Sequence, residues 1–153
     1  MGLDMYLEAR KFTGKEYFSP EMYARLAKAI DKPEMDYLPS IKVEVQVAYW
    51  RKVNSVHKWF VDNVQNGVDD CGEYRVTREQ LMQLRTLCNS IYKDKNLSMA
   101  HVGLPTQDGF FFGNTEYDEY YFADLEDTAK QIDFVLENYP DEEGWSFVYY
   151  SSW

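Results

Sequence analysis

Leu3, Met5, Leu7 and Ala9 alternate with Asp4, Tyr6, Glu8 and Arg10, the period-two signature of a strand with one buried face. The same alternation returns where Ile41, Val43, Val45 and Val47 interleave with Lys42, Glu44, Gln46 and Ala48, and the β-branched residues predict a core strand. Between the two, Ser19-Pro20-Glu21 reads as an N-cap, a proline at the first helical position and an acid in the first turn. A short helix should run from there to about Ile30, with Met22, Leu26, Ala29 and Ile30 on one face, and Lys32-Pro33 to Pro39-Ser40 reads as a loop. After Tyr49 the period changes. At roughly 100° per residue, Trp50, Val53, Asn54, His57, Phe60, Val61 and Val64 share one side, predicting a helix from about Trp50 to the Asn66-Gly67 stop. Trp59 points the opposite way, to be covered by another segment or exposed as a contact residue.

Further along, Val68 to Gly72 reads as a loop and Glu73 to Val76 as a short strand or extended arm. Thr77-Arg78-Glu79-Gln80 is a capping box opening a helix with Leu81, Leu84, Leu87, Cys88 and Ile91 on one side, which makes Cys88 a packing residue. From Asn96 to Asp108 the chain reads as irregular. Gly109-Phe110-Phe111-Phe112-Gly113 is an apolar run between glycines, consistent with a buried strand. A helix to about Asn138 should bury Phe122, Leu125, Ala129, Ile132 and Leu136, and Trp145 to Tyr150 supplies a last strand. The expected fold is a single α+β domain over residues 1–153: a mixed or antiparallel sheet of four to five strands, with about four helices packed mainly on one face.

Composition narrows this in two ways. Hydrophobic residues make up 45% of the 153 and aromatics 17%, which excludes a disordered chain and supports one core. The net charge is −10, and it is unevenly spread. Residues 1–106 hold 14 acidic against 15 basic side chains, whereas 107–153 hold 12 acids against Lys130 alone. That last third would repel a phosphate backbone, so direct nucleic-acid binding is not expected; a basic protein could meet it through Asp124, Glu126, Asp127 and Glu137, unless these form only a solvated face. No apolar run approaches the ~20 residues of a membrane span, and Met1 to Tyr6 lacks the features of a signal peptide. A cytoplasmic protein is expected, with Cys71 and Cys88 as free thiols, and self-association is compatible with the composition.

The chemistry centres on two polar residues in the apolar stripe. Asn54 and His57 would cost on the order of 1–3 kcal/mol each if buried unpaired. They either tie the helix to its neighbours through internal hydrogen bonds or line a pocket. The first turn of that helix would lie at the sheet edge, where free amides favour an anion and Arg51 and Lys52 add to the preference. Trp50, Arg51, Asn54, His57, Phe111 and Tyr117, with Asp70 and Asp118 as acceptors, are suitable walls for a nucleotide-like ligand, since aromatic faces stack on bases and arginine holds phosphate; core packing is the other fate of these aromatics. His57 and His101 lack zinc spacing, and neither a metal nor another cofactor is expected. Loop acids at Asp69, Asp70, Glu116 and Asp118 could gather round a cation only if the fold brings them together. Phosphate-loop, dinucleotide and nucleophile-elbow motifs are missing, so no catalytic residue is assigned.

Taken together, Gly2 to Leu7, Tyr49-Trp50-Arg51-Lys52 with Asn54 and His57-Lys58-Trp59-Phe60, Asp69 to Gly72, Leu104-Pro105, and Gly109 to Gly113 with Tyr117-Asp118-Glu119-Tyr120-Tyr121 resemble a family of small bacteriophage and prophage proteins to which no activity is assigned. The likeness spans nearly the whole chain. It implies a viral origin, the host bacterial cytoplasm as the compartment, and a part in countering host defence. The expected function is a non-catalytic protein that sequesters a nucleotide-like ligand in a pocket on the Tyr49 to Phe60 segment. The alternatives are an anti-CRISPR-like inhibitor that offers its acidic last third to a basic host defence protein, and a small hydrolase using His57 with nearby acids.

Overall fold

The computed structural model describes residues 2–13, 20–32 and 41–153. Their elements, in chain order, are β1 (Asp4–Thr13), α1 (Pro20–Ala29), β2 (Ile41–Arg51), α2 (Asn54–Asn63), β3 (Tyr74–Val76), α3 (Arg78–Tyr92), α4 (Leu97–Gly103), α5 (Glu119–Asn138), a 3-10 turn (Asp141–Glu143) and β4 (Ser146–Ser152). The architecture is α+β, with one antiparallel sheet in the order β2-β1-β4-β3. The cap expected at Ser19 and the loop expected from Pro33 to Ser40 lie outside the described residues. Among the described residues no helix is long and apolar enough to cross a membrane.

The alternation of β1 places Leu3, Met5, Leu7 and Ala9 inside with no exposed surface. Phe147 and Tyr149 of β4 join them on that face. On the other face the Tyr6 ring stacks on Tyr150 at 4.9 Å and tilts against Tyr49 at 5.4 Å. The helices cover the inner face: α3 contributes Leu81, Leu84, Cys88 and Ile91, and α5 contributes Leu125, Ala129, Ile132 and Val135. Burying each such leucine or isoleucine is worth about 1.5–3 kcal/mol, and these side chains hold α3 and α5 to the common core. The Thr77 hydroxyl accepts from the Gln80 amide, and the Gln80 side chain accepts from the Thr77 amide, completing the capping box.

Five expectations need correction. The second strand is an edge strand, not a central one, and it continues through Trp50 and Arg51, which pair with Met5 and Asp4. A bulge interrupts its regular alternation: the register slips after Leu7 against Ala48, leaving Val47 unpaired. Val43 and Val45 face inward before the slip, Ala48 and Trp50 after it. The open edge is blocked at Tyr49, whose N–H donates to Gln131 Oε1 at 2.9 Å and whose carbonyl accepts from Gln131 Nε2 at 3.1 Å. The helix therefore begins at Asn54, not Trp50, and stops at Asn63. Asn96 caps an unexpected α4 by accepting from the Met99 amide, within a stretch that reads as irregular. Residues 109–113 form a turn and not a strand: Phe112 is buried, while Phe110 and Phe111 are exposed. Finally, α5 starts at Glu119, three residues before the first apolar position expected of it. Trp59 is covered, with its ring edge-on to Phe60 at 5.4 Å.

Candidate functional site

Between β2 and α2 the chain turns in two residues. Lys52 takes a left-handed conformation at φ 60°, and its amide donates to the Leu3 carbonyl at 2.8 Å. Such backbone costs about 1 kcal/mol or more for a residue with a side chain. Three more left-handed residues meet there: Phe111 at φ 62°, Gly2 at 151° and Gly113 at 96°. A Cβ on Gly113 would lie 3.0 Å from the Lys52 Cβ and 3.1 Å from its carbonyl oxygen, so the 109–114 turn closes on Lys52 only because glycine stands there.

Asn54 holds that turn in place. Its side-chain amide donates to the carbonyls of Phe112 at 3.1 Å and Asn114 at 2.9 Å, and its oxygen accepts from the Gln107 amide at 3.0 Å. His57, fully buried, sits between the Tyr149 hydroxyl at 2.7 Å from Nδ1 and the Asp69 carboxylate at 3.0 Å from Nε2. Asp69 can only accept, so Nε2 donates to it, while Nδ1 is held against the Tyr149 hydroxyl. Phe60 stacks on the Tyr149 ring at 3.9 Å, and burial pushes the Tyr149 hydroxyl well above its ordinary pKa. Neither His57 nitrogen is free, and its ring cannot be reached from solvent. This removes His57 from both the pocket and the hydrolase reading.

A cleft of about 270 Å³ opens beside Asn54. One wall is the β2–α2 junction, with Arg51, Lys52, Val53 and Ser55; the other is the start of α5, with Asp118, Tyr120, Tyr121 and Asp124; Thr106, Gly113, Asn114 and Glu116 close it. Two helices thus begin at one cavity, and they differ. The Asp118 carboxylate caps α5, accepting from the Tyr120 and Tyr121 amides at 3.0 and 3.1 Å, with its second oxygen bound by the Asn114 side chain. Val53 stands at the N-cap of α2 and has no side chain that can cap. The amides of Asn54 and Ser55 find no acceptor among the described residues. Ser55 lines the cleft, and its hydroxyl, which has no partner among them, opens onto that cleft and is not sealed from water. Among the described residues Lys52 makes no ion pair, and Arg51 turns to Asp4, at 3.7 Å, and to the Tyr49 hydroxyl.

The facing carboxyl of Asp124 is half-buried and has no hydrogen-bond partner among the described residues. Burial first, then the charges of Asp127 and Asp118, push its pKa up from 3.8 to about 6. One wall therefore offers unsatisfied donors and positive charge, the other an unsatisfied acceptor. An anion seated against α2 would meet amides, a hydroxyl and an ammonium together.

Of the residues expected to bind ligand, the fold brings Arg51, Asn54 and Asp118 to this cleft, the last two occupied by structural hydrogen bonds. Trp50 is in the core, donating to the Thr128 hydroxyl at 3.0 Å. Asp70 accepts from the Gly72 amide and the Tyr74 hydroxyl. Phe111 stands against Phe110, and Tyr117 packs on His101 at 4.1 Å. Asp69 and Asp70 are thus engaged away from the cleft that Glu116 and Asp118 line, and among the described residues no three metal-binding side chains converge. Ser55, Tyr120 and the inward role of Asp124 had no clear signal in the sequence. Of the four acids expected to meet a basic partner, Asp124 turns to the cleft, Glu126 pairs with Lys130 at 2.7 Å, Asp127 accepts from Gln131 at 2.7 Å, and Glu137 is exposed.

No family model, curated protein or solved structure matches the chain.

Proposed function

We propose that this protein binds a small phosphate-bearing molecule of nucleotide type in the cleft between the starts of α2 and α5, and holds it without chemical change. The observation that carries this is Ser55. Its hydroxyl opens onto the cleft beside Lys52 and the uncapped amides of Asn54 and Ser55, and none of these groups has a partner among the described residues. A phosphate oxygen would satisfy all three. The volume of about 270 Å³ lies just under the usual small-molecule range of about 300–1,000 Å³ and suits one phosphorylated unit more than a dinucleotide. In the phage setting that the resemblance implies, such binding would sequester a host nucleotide. The turning of Asp124 into the cleft weighs against the acidic-mimic alternative, and the enclosure of His57 against the hydrolase.

Isothermal titration with inorganic phosphate and with nucleoside 5′-monophosphates tests the reading. Binding should weaken at least tenfold in Lys52→Ala and in Ser55→Ala, both folded by circular dichroism. Equal affinity in these variants and the native chain, or no binding of any phosphate compound, would discard it.

A further inference from the structure

The second wall specifies more than an anion. On α5, Tyr120 and Asp124 stand one turn apart, so their side chains share a face with Cβ atoms about 5–6 Å apart, and both line the cleft. The Tyr120 ring is 80% exposed, an open aromatic face at the mouth. The Asp124 carboxyl has no partner among the described residues, and no cation opposes the burial and the neighbouring Asp118 and Asp127 charges that lift its pKa. A half-buried acceptor in that state is satisfied by a ligand donor. Asp118 is the poorer acceptor, because three of the about four lone-pair sites of its carboxylate already accept from Tyr120, Tyr121 and Asn114.

Resting on the phosphate reading above, we infer that the ligand is a nucleoside monophosphate with an exocyclic amino group on its base: the phosphate against Lys52 and Ser55, the base stacked on Tyr120, and the amino group donating to Asp124. Adenine, cytosine and guanine carry such an amino group, guanine's at C2 beside its N1–H; a base edge that offers only a carbonyl presents an acceptor to a carboxylate and is rejected. Tyr120 supplies stacking that tolerates either ring, and Asp124 supplies the choice.

The test is titration of the native protein at pH 7.5 with three matched pairs that differ only by the amino group: AMP against purine riboside 5′-monophosphate, CMP against the 2-pyrimidinone riboside 5′-monophosphate, and GMP against IMP. In at least one pair the amino compound should bind at least tenfold more tightly. Asp124→Ala should erase that preference, so that the two members of each pair bind alike, and Tyr120→Ala should weaken both members together. If each pair binds equally, or the preference survives Asp124→Ala, the inference falls. Should the pairs bind equally while Lys52→Ala and Ser55→Ala still lose both members, the phosphate reading stands without it. If no phosphate compound binds, both are overturned.

Discussion

Replacing Asn54 tests what holds the cleft together. In Asn54→Ala three hydrogen bonds go at once, stranding the Gln107 amide and the carbonyls of Phe112 and Asn114. The side chain they lose is 3% exposed, so water cannot readily replace it. At a net worth of about 0.5–1.5 kcal/mol each, the loss comes to about 2–4 kcal/mol, against a total of about 5–15 kcal/mol for a domain of this size. The variant should fold, with the 107–114 segment loosened. Asn54→Asp separates hydrogen bonding from packing, because it keeps the acceptor for Gln107 and turns two donors into a carboxylate facing two carbonyls. Burial and those carbonyls hold the new carboxyl above its ordinary pKa, so the native state binds the proton more tightly than the unfolded chain does. Its extra cost is therefore absent below about pH 4 and grows as pH rises through the native-state value. Urea unfolding followed by tryptophan fluorescence should place Asn54→Asp near Asn54→Ala at pH 4.5 and at least about 1 kcal/mol below it at pH 8. Amide exchange should show Gln107 protected in Asn54→Asp and unprotected in Asn54→Ala. An Asn54→Ala cost under about 1 kcal/mol with Gln107 still protected would refute the assignment of Asn54 as the fastener of the turn.

Asp124→Asn should stabilise the protein at pH 8. A carboxyl raised from 3.8 to about 6 carries a penalty that is absent below about pH 4 and complete above about pH 7; two units correspond to about 3 kcal/mol, reduced to about 1–2 by partial exposure, and the gain should vanish in urea melts at pH 4. Tyr149→Phe keeps the stack on Phe60 but strips His57 Nδ1 of its partner, so the unfolding free energy should drop by about 1–3 kcal/mol. Gly113→Ala should cost about 1–3 kcal/mol in the same melts, from its left-handed backbone and its approach to Lys52, and should weaken phosphate binding by displacing that lysine. A thiol reagent should titrate the exposed Cys71 in the native protein, and Cys88, buried and pushed up to about 12, only after urea is added.

How much of this was legible in the chain depended on the range of the interaction. The β1 alternation and the Thr77 box are set by neighbours a few residues apart, and both could be read directly. The β2–α2 boundary could not. Trp50 satisfies the strand period, through its pairing with Met5, and also the helical wheel that follows, and the break between them is a lysine in a left-handed conformation that no residue preference assigns to lysine. The bulge at Val47 hid the switch of inner face from Val45 to Ala48 for the same reason: it is a property of the pairing with β1, not of β2 alone. In Gly109 to Gly113 the apolar run was visible but its fate was not, because the surroundings accept one ring, Phe112, and leave two outside.

The candidate site shows the same limit with a consequence for function. That Asn54 and His57 must meet partners follows from burial alone, and they do. Their partners come from segments 53 to 92 residues further on, at Gln107, Phe112, Asn114 and Tyr149, with only Asp69 nearby. Polarity inside an apolar stripe therefore marks a fastener as readily as a binding group. What separates the two is whether the folded chain completes the hydrogen bonds. It does so for Asn54, His57 and Asp118, and it leaves Ser55 and Asp124 incomplete on opposite walls of one cleft, where each awaits a group of the opposite hydrogen-bonding sense. A single ligand with an anionic end and a donor end is the simplest molecule that completes both.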